Sequence, residues 1–83
     1  MESVLYSKTA LGSAIRAARR AKGWTQTELA REMGVPQSWI SSLERGATNP
    51  TFDSLMQVLA ALELELATRP RAVSDEVDWW RDE

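Results

Sequence analysis

The stretch from Thr25 to Gly46, TQTELAREMGVPQSWISSLERG, constrains this chain more than any other part of it. It reads as two amphipathic helices joined by a turn at glycine, with a suitable residue at each boundary. Thr25 is an N-cap residue and Glu28 follows three positions later, the spacing of a reciprocal capping box. Leu29, Ala30 and Met33 give the first helix an apolar face. Gly34 supplies the backbone freedom that a tight turn between packed helices requires. Pro36 suits the first position of the second helix, because its φ is already helical and that position needs no N–H. Ile40 and Leu43, three apart, anchor the second helix inward, and Gly46 ends it.

Between those anchors lie short polar side chains, Gln37, Ser38, Ser41 and Ser42, on the face turned away from the core. Amides and hydroxyls on an exposed helix can meet base edges in the DNA major groove. Two short helices around a glycine also occur in domains that never touch DNA, and spacing alone leaves both readings open. The residues themselves go further. The segment resembles the helix-turn-helix of the phage-repressor (Cro/XRE-like) family, whose pattern is TQ-x-ELA-x-x-x-G-V-x-Q-x-x-I-S-x-L-E-x-G. Thr25, Gln26, Glu28, Leu29, Ala30, Gly34, Val35, Gln37, Ile40, Ser41, Leu43, Glu44 and Gly46 fill it. Two positions depart from the family habit. Pro36 stands where Ser or Thr is commoner, which removes a side chain that could touch a phosphate, and Trp39 is bulky.

Length and composition bound the rest. Eighty-three residues allow one small domain whose core is marginal for a monomer, so dimerisation would help. With no Cys there are no disulfides or thiolate metal sites, and with no His the commonest general base and metal ligand are missing. A nucleophile–base pair is hard to build from what remains, so an enzyme is not expected, and no cofactor is. No apolar run reaches membrane-spanning length, and MESVLYSKTA lacks the charged start and apolar stretch of a signal peptide. A cytoplasmic protein is expected. The net charge of −2 looks wrong for a DNA binder, but the charges are segregated. Thr9 to Arg71 carries eight basic against six acidic residues, whereas Ala72 to Glu83 carries five acids against Arg81. The domain is mildly basic and the tail acidic.

Along the chain, residues 1–8 read as an arm, 9–69 as the DNA-binding and dimerisation domain and 70–83 as a flexible acidic tail. Helix one is predicted from about Thr9 to Lys22, with Leu11, Ile15 and Ala18 as its inner stripe. Arg16, Arg19, Arg20 and Lys22 gather at its end, explained by the helix dipole and solvation or, alternatively, by phosphate contact. Trp24 reads as a core staple before the Thr25 cap. The fourth helix is predicted to start near Thr51 or Phe52, with Phe52, Leu55, Met56, Leu59 and Leu62 in the core. From Leu62 to Thr68 apolar and polar residues alternate, the period of a strand. A single strand leaves its backbone unpaired, so pairing with a second copy about a two-fold axis is expected, burying Leu64 and Leu66. The fold class is therefore all-α, a four-helix domain with a short C-terminal strand that pairs across a dimer. The tail is expected to be disordered when free, yet it holds Trp79 and Trp80, either as anchors for a protein partner or folded back on the domain.

Within the wider family, YSKTALGSAIRAARRAKGWTQTELA, the LELELAT segment and a short polar tail with Trp near its end resemble HipB-type antitoxins. That resemblance implies a DNA-binding dimer with intersubunit strand pairing, a complex with a HipA-like Ser/Thr-kinase toxin, and repression of their shared operon. It implies that Gln26 contacts a phosphate and braces Gln37, and that Gln37 reads a base. It also implies that Ser38 and Ser41 reach base edges or phosphates, that Ser42 does so in some members, and that Arg45 and Asn49 hold the DNA backbone. Glu44 is expected to be a structural charge partner. Two other readings stand beside it: a transcriptional regulator with no toxin, and an interaction adaptor using Glu28, Glu32 and Glu44.

Overall fold

Ile15, Leu29, Ile40, Leu43 and Val58 are wholly withdrawn from solvent, and each of the four helices among the described residues contributes at least one of them. The computed structural model describes residues 7–65. In order, α1 is Lys8–Ala21, α2 Gln26–Met33, α3 Gln37–Glu44 and α4 Phe52–Ala61. The fold is all-α, as the sequence implies, with α1 and α2 both packed on α3 and α4 packed on α2. Leu11, Ala18, Trp24, Met33, Val35, Trp39 and Ala61 close around the buried cluster. Trp24 is thus the staple expected of it.

The capping chemistry of α2 is as the sequence predicts. Thr25 accepts from the Glu28 N–H and the Glu28 carboxylate accepts from the Thr25 N–H, at 3.1 and 2.7 Å. α1 begins at Lys8, one residue before the predicted start, because Ser7 caps it through the Ala10 N–H at 3.0 Å. Pro36 lies one step outside the expected place. Its ψ of 148° is extended, so it is the N-cap of α3 and Gln37 is the first helical residue.

Gly12 fixes how α1 meets α3. A methyl group there would collide with the Glu44 carbonyl and stand 2.6 Å from that of Leu43. The bare Cα lets α1 lie directly on the C-terminal backbone of α3.

The core phase of α4 differs from the sequence prediction. Val58 is fully buried and Leu59 and Leu62 nearly so, with Leu55 half-buried, a stripe at i, i+3, i+4 and i+7. Phe52 and Met56, four apart on the flank of that stripe, are 66% and 38% exposed rather than core. Helical spacing allows several phases, and the packing of the described residues covers only the sector through Leu55, Val58, Leu59 and Leu62.

The predicted strand is corrected at its start. Leu62 is the C-cap of α4 and is buried. The Glu63 N–H bonds back to the Ala60 carbonyl, and the Leu64 N–H to that of Leu59 at 2.7 Å. This is a Schellman closure, with Glu63 at φ 58° in the left-handed region. α1, α2 and α3 all have glycine at that point. Leu64 is 37% exposed and Glu65 is irregular. Leu66 to Thr68, Trp79, Trp80 and the rest of the tail lie outside the described residues.

Candidate nucleic-acid interface

The outward arc of α3 follows from its anchors. With Ile40 and Leu43 pinned in the core, 100° per residue turns Gln37, Ser38, Ser41, Ser42 and Arg45 to one side. Gln37, Ser38 and Arg45 are exposed, and Ser41 and Ser42 half-exposed. Arg45 folds over the last turn of its own helix, donating to the Ser41 carbonyl and the Ser42 hydroxyl, both at 3.3 Å. Those bonds are long, and the guanidinium is free to exchange them for a stronger acceptor. Asn49 is exposed in the loop between α3 and α4.

Gln26 and Gln37 are joined, as expected. Gln37 Nε2 donates to Gln26 Oε1 at 2.6 Å. The contact continues inward. Gln26 Nε2 donates to Glu44 Oε1 at 3.0 Å. Glu44 in turn accepts from Arg19, whose Nε reaches Oε2 at 2.6 Å and whose Nη2 reaches Oε1 at 3.0 Å. Arg19 Nη1 donates to the Trp24 carbonyl at 2.7 Å. An unbroken line of hydrogen bonds runs from α1 through α3 and α2 to the exposed tip of α3.

Arg19 and Glu44 are only 7% and 8% exposed. Glu44 is the structural charge partner the sequence suggested. Arg19 is a correction: it is neither solvated nor turned toward a phosphate. Burial disfavours the charged form of Glu44, but bonds from Arg19 and Gln26 and the nearby guanidiniums outweigh this and hold its carboxyl below the usual range. The bond to Glu44 likewise raises Arg19 against the effect of burial. Among the described residues no buried side-chain nitrogen or oxygen lacks a partner. The pair had a signal in the sequence. Arg19 falls four residues after Ile15, in the inward phase of α1, and Glu44 falls four after Ile40, in that of α3. Opposite charges at core phases of two helices call for each other.

The adaptor reading loses its basis here. Glu44 is buried and Glu28 is engaged in the α2 cap, leaving Glu32 alone of the three acids. Among the described residues there is no group of side chains suited to a metal ion, and no helix long and apolar enough to cross a membrane.

A glycine-centred turn between two capped helices, with an outward row of amide, hydroxyl and guanidinium groups, defines a helix-turn-helix domain. The family model described as "Helix-turn-helix" matches residues 15–68, and the chain belongs to that family, in its Cro/XRE-type, HipB-like part. It is 39% identical over 62 residues to antitoxin HipB of Escherichia coli strain K12, spanning 75% of this chain and 70% of that one. Among solved structures it is similar to HipB in a HipB variant–O2 20mer complex, at 34% identity and a TM-score of 0.75 over 84% of this chain and 97% of that one. A HipA–HipB–O2–O3 complex gives 35% identity and a TM-score of 0.73, covering 83% and 97%.

Proposed function

We propose that this protein is a dimeric, sequence-specific DNA-binding repressor in the cytoplasm that neutralises a HipA-like kinase toxin and represses the operon encoding both. One observation carries the DNA-binding half: Gln37, exposed at the first turn of α3, is tied through Gln26 to a buried ion pair. A base-reading side chain held this way loses little freedom on binding. In this reading Gln37 meets a base, Ser38, Ser41 and Ser42 meet base edges or phosphates, and Gln26, Arg45 and Asn49 hold the DNA backbone. Similarity to HipB, seen in complexes with HipA and with 20mers, supports the antitoxin half.

The exposed apolar side chains Phe52 and Met56 on α4, and Leu64 beyond its end, support a dimer, since a second copy would take them out of water. Leu66 is assigned to the same contact, and Trp79 and Trp80 to the toxin. A two-fold dimer reads a near-palindromic operator with half-sites about one helical turn apart, or a multiple of it.

Fluorescence anisotropy on the protein's own promoter and on scrambled DNA tests the site. Gln37→Ala should cost roughly 1–3 kcal/mol on the promoter and far less on scrambled DNA. Arg45→Ala should weaken both alike. Equal losses from the two variants on both DNAs would refute these roles. For the toxin half, the chain lacking residues 72–83 should keep promoter affinity and lose co-purification with the kinase; unchanged co-purification removes the tail from that role.

A further inference from the structure

We propose that Glu44, a buried residue, decides which base Gln37 prefers, by fixing the direction of two amides. The inference rests on the reading of Gln37 as a base contact. An ionised carboxylate can only accept hydrogen bonds. Glu44 is kept ionised by the two-pronged bond from Arg19. Gln26, 3.0 Å from Glu44 Oε1, must therefore turn its NH₂ inward. Its carbonyl oxygen is then the atom that faces Gln37, at 2.6 Å. A carbonyl oxygen also only accepts, so Gln37 must turn its own NH₂ toward Gln26. The polarity of a buried carboxylate is thus copied through one half-buried amide to an exposed one.

What remains on Gln37 is its carbonyl oxygen beside one N–H. That acceptor–donor pair matches the N6 amino group and N7 of adenine. With the relay reversed, Gln37 would take a hydrogen bond through its oxygen and present two N–H groups. Those match the paired acceptors N7 and O6 of guanine. Glu44 is therefore a positioning residue for specificity, acting on adenine over guanine without touching DNA.

The experiment measures binding of the full chain to its promoter, and to a set in which each base pair is replaced in turn. Wild-type protein should prefer adenine over guanine by about tenfold or more at the position where Gln37→Ala loses discrimination. Glu44→Gln places a group there that can donate or accept, and should reduce that ratio to about threefold or less while ratios at other positions hold. The double variant Gln26→Glu, Glu44→Gln puts the acceptor-only group directly beside Gln37. It should restore the adenine preference to within about twofold of wild type, even though total affinity falls through repulsion from phosphate. Gln26→Leu leaves the Arg19–Glu44 pair intact and should lose the same ratio as Glu44→Gln, which covers the case in which Glu44→Gln does not fold. The proposal is overturned if Gln26→Leu keeps the adenine preference, if losses spread evenly over all positions, or if the double variant restores nothing. If Gln37→Ala changes discrimination nowhere, the base-contact reading itself fails, and that arm alone identifies it.

Discussion

The junction of α1 with α3 and the outer flank of α4 handle awkward residues in opposite ways. At the junction two full charges are buried, yet each is matched inside the chain, and Gly12 lets the backbones approach until nothing is left over. On the flank, Phe52 and Met56 are apolar and unmatched within the described residues. Burial of charge is tolerable when geometry supplies every partner, because the desolvation cost is offset by short, charge-assisted bonds. Exposure of apolar surface has no such internal remedy, and only a second surface relieves it. The contrast is that the junction satisfies its polar groups within the described residues and the α4 flank leaves its apolar ones exposed.

Removing one charge should break the first half of that comparison most severely. Glu44→Ala leaves Arg19 buried without its partner, and should cost roughly 3–5 kcal/mol in denaturant unfolding. The same carboxylate makes stability depend on pH. Its folded pKa lies below the unfolded value, so its contribution is complete above the ordinary carboxylate range and is lost as pH falls through the folded pKa. Melting temperature should drop in acid for wild type, and drop less between neutral and acid for Glu44→Gln. An equal acid response in both would show that other carboxylates govern it.

Gly12→Ala tests whether close backbone approach is what holds the junction. The added methyl meets carbonyl groups of α3, which cannot move aside as a side-chain tip can, so α1 must shift. A loss of about 1–3 kcal/mol is expected, in spite of the better helix propensity of Ala. A more stable variant would mean that the two helices are not locked together.

At the end of α4 the sign reverses. Glu63 occupies a left-handed position where α1, α2 and α3 have glycine, and its ion pair with Lys22, at 3.6 Å and exposed, returns little. Glu63→Gly should raise stability by about 0.5–1 kcal/mol, unless this turn also serves an interface. The smallest effect on folding is expected from Phe52→Asp. The residue is exposed and lies in the first turn of α4, where an acid suits the helix dipole, so unfolding of the dilute protein should change by less than about 0.5 kcal/mol. Sedimentation should nevertheless show weaker self-association. Unaltered association would free the flank from the dimer role.

Much of the fold was legible because local chemistry dictates it. Thr25 and Glu28 can cap only a helix start, Gly34 and Gly46 mark helix ends, and Ile40 with Leu43 leaves one outward arc for Gln37, Ser38 and Ser41. The Gln26–Gln37 contact came from a family resemblance rather than from spacing. The continuation to Glu44 and Arg19 was half visible, in the charge partner expected of Glu44 but not in the identity of the partner. The alternation beginning at Leu62 placed the strand's start too early, because Leu62 and Glu63 serve the closure of α4 and alternation does not distinguish a helix end from the first residues of a strand.

By itself the sequence determined the four helices of the described residues, the Thr25–Glu28 cap, the glycine helix ends and the polar face of α3, since each depends on residues within about one or two helical turns of one another. Only the tertiary structure decided that Arg19 belongs to Glu44 across 25 positions of chain, that Gly12 is a contact and not a flaw, and that Phe52 and Met56 stay outside the core. Those outcomes depend on how one helix crosses another. A period of 3.6 residues states that a face is apolar, and the crossing determines which part of it another helix covers.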